Sequence, residues 1–263
     1  MSKLTGERPV EGVTPDSLLA LHEAGYQAVR ERLGPGRVLD VGCGDGFETA
    51  SFLAPDRTVF GIDYSVEVAA EASRRWSGKG LRVAGMDALK LGVRDGSISW
   101  VCSSHVIEHF KRPGDHAREV SRVLADDGTA FFLTPNRPFD FENPFHLVQF
   151  ERDDLQALLR DHFSDVQVLG MGATPRVHAD FAARRAKAQK LLRFDLLDLR
   201  HRMPRSWYIG LYTRVLPVAY RLLAKRDTAG ATGITADDYF ISEDPDVDAL
   251  VLLGVASSPL RSS

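Results

Sequence analysis

Apolar positions change their period repeatedly along the chain, and each change marks an element. From Pro15 to Leu33 they recur at three- and four-residue spacing, with Leu18, Leu21, Tyr26, Val29 and Leu33 as candidate contacts. That spacing predicts a helix, and the Gly34-Pro35-Gly36 run ends it. Arg37 to Gly42 (RVLDVG) is a short apolar run entering a glycine loop, the pattern of a strand. Further strands are predicted over Thr58 to Asp63, Leu81 to Gly85, Ile98 to Ser103, Thr129 to Thr134 and Val166 to Leu169. Helices are predicted over Glu48 to Leu53, Val66 to Trp76, Pro113 to Leu124 and Asp153 to Phe163. Asp248 to Ala256 (DALVLLGVA) carries the continuous apolar core of a buried strand. Strand and helix alternate, so the expected class is α/β: a Rossmann-like, doubly wound, mainly parallel sheet of about seven strands.

Charge changes the picture between the last two of these strands. Residues 176 to 226 hold 13 Lys and Arg against 3 Asp, a net of +10, so the remainder of the chain carries −3 − 10 = −13. Asp248 to Ala256 returns the chain to the sheet, which makes the basic segment an insertion. Its Arg, Leu and Ala content favours helix, and Met203-Pro204 should separate two helices. In the second, Trp207, Leu211, Val215, Val218 and Leu222 form one apolar stripe flanked by Arg214, Arg221 and Lys225. The expected division is an N-terminal helical segment (1–35), the core (36–175), a basic helical cap (176–236) and a returning strand (237–263). The cap is expected to fold over the carboxyl side of the sheet, with 205–226 offering peripheral contact to the inner face of a membrane.

Bulk composition narrows the class further. A hydrophobic share of 44% and a charged share of 26% are ordinary for a globular protein, and a net charge of −3 offers no general attraction to nucleic acid. The first residues, MSKLTGERPVEG, lack the apolar run of a secretory signal, and no uncharged stretch approaches the roughly 20 residues of a spanning helix. Cys43 and Cys102 both lie in apolar strand-like context, so buried thiols and a cytoplasmic location are expected.

Candidate chemistry begins where the first strand hands over. Asp40-Val41-Gly42-Cys43-Gly44-Asp45-Gly46 permits a sharp turn and close approach to a ligand that a Cβ would block. A dinucleotide fingerprint would need a small residue at its last place, but that place holds Phe47 or Thr49 depending on register. A nicotinamide oxidoreductase is therefore disfavoured. The pattern D-x-G-x-G-x-G instead resembles the first motif of class I methyltransferases. Other features follow in order: Asp63 at the end of the second strand, where a carboxylate can accept two ribose hydroxyls; Tyr64, which can lie on the adenine; and Asp87 with Ala88, where an acid can accept the adenine amino group. Ser104 and His105 follow the fourth strand and would line the methionine end. Each acid alone is an ordinary turn residue; the order of the set points to a site at the carboxyl ends of parallel strands.

From residue 36 to 171 the strings VLDVGCGDG, GID, MDALKL, VIEH, EVSRVLADDG and TPN resemble the methyltransferase family that includes the ubiquinone-biosynthesis O-methyltransferases. LTGER and NPFHLVQF resemble actinobacterial methyltransferases associated with cell-envelope glycans and glycolipids. The resemblance implies S-adenosylmethionine as cofactor, bound through Asp40, Gly42, Gly44, Gly46 and the residues above. It also implies O-methylation of a sugar, glycan or glycolipid hydroxyl. Methylation of a phenol or other small metabolite, and a cofactor-binding partner protein without catalysis, are the alternatives. The basic insertion departs from the compact family pattern.

A hydroxyl acceptor must lose its proton, and histidine is the commonest base near neutral pH. Glu108, His109 and His146 are the candidate catalytic residues, His146 lying on a loop after the fifth strand. If His105 to His109 is helical, His105, Glu108 and His109 share one face. A divalent cation on that face is the less favoured alternative, so no metal ligands are assigned. The string H-x-x-E-H matches a zinc-protease signature, but its place at a strand end argues against protease chemistry.

Overall fold

The computed structural model describes residues 14–140, 145–192 and 232–261. The elements run α1 (Asp16–Arg30), β1 (Gly36–Val41), β2 (Arg57–Asp63), α2 (Val66–Trp76), β3 (Arg82–Gly85), β4 (Ile98–Ser104), α3 (Pro113–Val123) and β5 (Leu124–Pro135). They continue through α4 (Arg152–Arg160), β6 (Phe163–Ala173), α5 (Pro175–Leu192), β7 (Tyr239–Ser242) and β8 (Val251–Pro259).

Eight strands form one sheet in the order β3-β2-β1-β4-β5-β8-β6-β7. β1 pairs in parallel with β2 and with β4, β2 with β3, and β4 with β5. β8 is antiparallel to both β5 and β6. The chain therefore winds outward from β1 to β3, then restarts at β4 on the other side of β1. That reversal opens a crevice beyond the carboxyl ends of β1 and β4, where open α/β sheets hold ligands.

The core explains why these segments take these forms. α3 buries Ala117, Val120 and Val123 on one stripe, and α4 buries Leu155 and Leu159. They belong to one cluster with Phe132, Phe163, Leu252 and Ala256 from the sheet. Pro113 opens α3, where a missing amide costs nothing, and Glu151 with Asp154 caps α4 reciprocally. Truncating Phe132, which has no exposed surface, should cost roughly 3–5 kcal/mol.

Three expectations are corrected. The helix predicted from Glu48 to Leu53 is a single 3-10 turn, Thr49–Phe52. The helix predicted to reach Phe163 stops at Arg160, because Phe163 is fully buried and opens β6. Tyr239–Ser242 adds a short strand that its pattern did not announce, which makes eight strands rather than about seven. Cys43 and Cys102 are both buried.

Contacts group the described residues into two compact units: 14–24, 145, 173–192 and 232–240 in one, and 25–140, 146–172 and 241–261 in the other. The smaller unit is tied by polar contacts. Ser17 Oγ donates to Asp180 at 2.6 Å and accepts from Arg184, while Arg176 pairs with Asp238. α5 is helical over the first residues of the segment expected to form the cap; Met203-Pro204, the apolar stripe and the 205–226 membrane contact lie outside the described residues. No helix among the described residues is long and apolar enough to cross a membrane.

Candidate active site at the carboxyl edge of the sheet

The glycine loop leaves β1 in a conformation that side chains resist. Gly42, Gly44 and Gly46 have φ of 82°, 55° and 77°. A Cβ on Gly42 would stand 2.5 Å from Val106 Cγ2, so the loop closes against the turn after β4 only because that atom is missing. The amides of Gly42 and Cys43 both donate to Ile62 O, continuing the β1–β2 pairing past the strand end.

Asp40 lies beneath this loop with no exposed surface. Its carboxylate accepts from Thr49 Oγ1 at 2.6 Å and from Tyr26 OH at 3.1 Å. Burial pushes its pKa up to about 6, against the lowering effect of those two hydroxyls. The geometry makes Asp40 a brace that ties the loop to α1 and the following 3-10 turn, rather than a group facing a ligand. Asp63 is also nearly buried: Oδ2 accepts from Gly44 N at 3.2 Å and Oδ1 from Ser65 N at 2.8 Å. Tyr64 beside it stands 67% exposed. Asp87 is exposed and accepts from Leu89 N at 2.8 Å, and Ala88 is half-buried. Ser104, at the end of β4, is buried, and its Oγ has no hydrogen-bond partner among the described residues.

The second cluster starts one residue later. His105 takes φ of 55°, a left-handed turn in which its amide donates to Leu133 O at 2.8 Å. The segment then makes a 3-10 turn over Ile107–His109, so the shared helical face expected for His105, Glu108 and His109 is not formed. Glu108 points inward. Oε2 accepts from Thr134 Oγ1 of β5 at 3.1 Å, while Oε1 has no hydrogen-bond partner among the described residues and lies 3.4 Å from His105 Nδ1. Burial would raise the Glu108 pKa, but His105, His109 and His146 together hold it down to about 2.

His146 reaches the same place from the loop after β5. Its Nδ1 lies 2.8 Å from Asp140 Oδ1, an arrangement in which the ring N–H donates to the carboxylate. Burial would lower its pKa, but Asp140 and Glu108 outweigh that and raise it. The rings of His109 and His146 meet edge to face with centroids 5.1 Å apart. One donor atom each from Glu108, His109 and His146 lies within 4.8 Å of the other two. Glu108 O accepts from the amides of Leu147 and Val148, which holds the loop in place.

A family model described as a methyltransferase domain matches residues 39–132. The chain is 32% identical over 185 residues to a probable S-adenosylmethionine-dependent methyltransferase of Mycobacterium tuberculosis, covering 66% of each chain. The chain belongs to the class I S-adenosylmethionine-dependent methyltransferases. It is also 29% identical over 116 residues to a ubiquinone biosynthesis O-methyltransferase of Burkholderia orbicola, covering 43% of this chain and 50% of that one. In fold it is similar to an S-adenosylmethionine-dependent methyltransferase of Thermotoga maritima, with a TM-score of 0.59, 14% identity, and coverage of 92% and 91%.

For a methyltransferase of this class the cofactor is S-adenosylmethionine, and the residues present fit it. The loop takes positive φ at Gly42, Gly44 and Gly46, Asp63 sits at the end of β2, and the buried Ser104 hydroxyl has no hydrogen-bond partner among the described residues. Sequence reasoning missed the groups behind the site: Tyr26 and Thr49 on Asp40, Thr134 on Glu108, and Asp140 on His146. It also missed His116 on α3, fully buried, which bonds Ser103 Oγ at 2.8 Å and Ala88 O at 3.1 Å. Carbonyl acceptance fixes its Nδ1 as the protonated nitrogen. No local spacing announces these partners, because each pair is joined only by the sheet.

Proposed function

We propose that the protein transfers the methyl group of S-adenosylmethionine to a hydroxyl on a sugar, glycan or glycolipid. The observation that carries this reading is the grouping of Glu108, His109 and His146 just beyond the strand whose end bears the unpaired Ser104 hydroxyl. An alkyl hydroxyl surrenders its proton reluctantly, near the pKa of 15.7 for water, whereas a phenol ionises near 10. A buried carboxylate and two histidines, one of them oriented by a second carboxylate, are what the harder acceptor requires.

In this reading Asp63 holds the ribose hydroxyls, Tyr64 lies on the adenine, and Asp87 with Ala88 borders the adenine edge. Gly42, Gly44 and Gly46 let the backbone approach, and Ser104 with His105 meets the methionine end. The bound cofactor supplies an electrophilic methyl group on sulfur. The protein's share is alignment of acceptor and methyl for in-line displacement, and removal of the hydroxyl proton by the Glu108, His109 and His146 group. Methylation of a phenolic metabolite is the second reading, supported by the similarity to the ubiquinone enzyme. A cofactor-binding role without chemistry would leave the Glu108 cluster without a purpose.

Incubation with methyl-labelled S-adenosylmethionine and matched panels of mannosides, glucosides and catechols tests it. Label in the sugars at a higher kcat/KM than in the catechols is expected. Transfer confined to catechols would establish the second reading instead.

A further inference from the structure

The hydrogen bonds around Glu108 leave one atom unexplained. Its side chain is 1% exposed, Oε2 is engaged by Thr134, yet Oε1 has no hydrogen-bond partner among the described residues. Buried polar atoms are normally hydrogen-bonded, because a bare one carries its full desolvation penalty. Two histidines from different elements converge on the same side, with donor atoms within 4.8 Å of each other and of the Glu108 carboxylate. His146 is held by Asp140 through Nδ1, which presents Nε2 as the donor. A carboxylate behind an imidazole is the usual support of a metal-ligating histidine.

We propose that Glu108, His109 and His146 bind a divalent transition-metal ion that holds the acceptor hydroxyl. Two imidazoles with one carboxylate suit Zn²⁺ or Mn²⁺ better than Mg²⁺, which prefers oxygen and water. Bonds of about 2.0–2.2 Å require neighbouring donors roughly 3 Å apart, within reach of small side-chain rotations from the present spread. Three protein ligands leave coordination positions open, the mark of a catalytic rather than a structural ion. His105 does not belong to the set: it approaches Oε1 from the strand end and contributes charge there. Asp140 and Thr134 orient His146 and Glu108 from behind.

The last clause of the proposal rests on the methyltransferase reading; the ion site does not. There the cation lowers the pKa of the hydroxyl it touches. The acceptor oxygen bonds the methyl carbon as the carbon–sulfur bond breaks and S-adenosylhomocysteine leaves; with the three side chains holding the ion, the hydroxyl proton goes to water, so the ion takes the place of deprotonation by an imidazole.

The test needs no acceptor. The full chain is dialysed against chelator and titrated with Zn²⁺ by calorimetry and with Co²⁺ by visible absorption. One equivalent, with the intense bands of a low-coordinate Co²⁺ site, is expected. Glu108→Gln and His146→Ala should each weaken binding at least a hundredfold, and Asp140→Asn roughly 10–100-fold. Should a variant fail to fold, a rise in wild-type Tm with one equivalent of Zn²⁺ carries the same information. Absence of saturable binding, or equal affinity in wild type and Glu108→Gln, overturns the site. S-adenosylmethionine titrated in parallel keeps the two readings apart: cofactor heat without metal heat removes the ion and leaves the methyltransferase.

Discussion

The proposed cofactor end and the proposed acceptor end lie on the same sheet edge but are built differently. At the cofactor end, Gly42, Gly44 and Gly46 and the Asp63 carboxylate come from two successive strand ends, and backbone groups make much of the surface. At the acceptor end, Glu108, His109 and His146 come from a turn and a loop on either side of β5, and their working parts are side chains. Backbone conformation is dictated by neighbouring residues, so the first kind of site survives as a local string. Side-chain convergence is dictated by packing between distant segments, so the second kind leaves no local string.

The sharpest way to break this contrast is Glu108→Gln. It should lower turnover by roughly 10²–10⁴-fold while leaving the dissociation constant for S-adenosylmethionine unchanged. Equal loss of cofactor affinity, read by calorimetry, would show that the two ends are one. Asp63→Ala is the reciprocal experiment. Removing a carboxylate that bonds the ribose should cost roughly 1.5–3 kcal/mol for each charge-assisted bond, and turnover at saturating cofactor should change far less. Retained affinity would remove Asp63 from the cofactor's partners.

His116 bridges the two ends, and its effect is on stability. Burial lowers its pKa from 6.5 to about 4, with the Ala88 bond and two glutamates opposing weakly. The folded protein therefore keeps this ring neutral while the unfolded chain protonates it below pH 6.5. Stability falls as pH drops from about 6.5 towards 4, by about 3 kcal/mol from this group. Melting His116→Gln across that range should show a flatter dependence than wild type; an unchanged slope would assign the acid loss to other groups. Tyr26→Phe is expected to have the smallest effect. It deletes one donor to Asp40 and should cost roughly 0.5–1.5 kcal/mol, with Tm falling and acceptor turnover unaffected. A turnover loss at saturating cofactor would mean that the brace under the loop also positions the acceptor.

Particular residues show where the chain was readable. The α2 span, Val66 to Trp76, was visible in its apolar period and matches the structure end for end. The glycine spacing announced a class I methyltransferase and disfavoured a dinucleotide site through Phe47 and Thr49. The 48–53 segment looked helical and became one 3-10 turn, because Thr49 is drawn down onto Asp40. His105 looked like the partner of Glu108 and His109 on a helix face; its left-handed φ breaks that helix and hands the place to His146, 37 residues after His109.

By itself, then, the order of residues determined the alternation of strands and helices, the glycine turn and the acids at strand ends. These depend on hydrophobic period and on which backbone angles a residue tolerates, and both are properties of near neighbours. Only the tertiary structure decided that β8 enters antiparallel between β5 and β6, that Asp40 is a buried brace, and that Thr134 and Asp140 stand behind Glu108 and His146. Those relations depend on which surfaces the sheet brings within a few ångströms, a distance that separation along the chain does not measure.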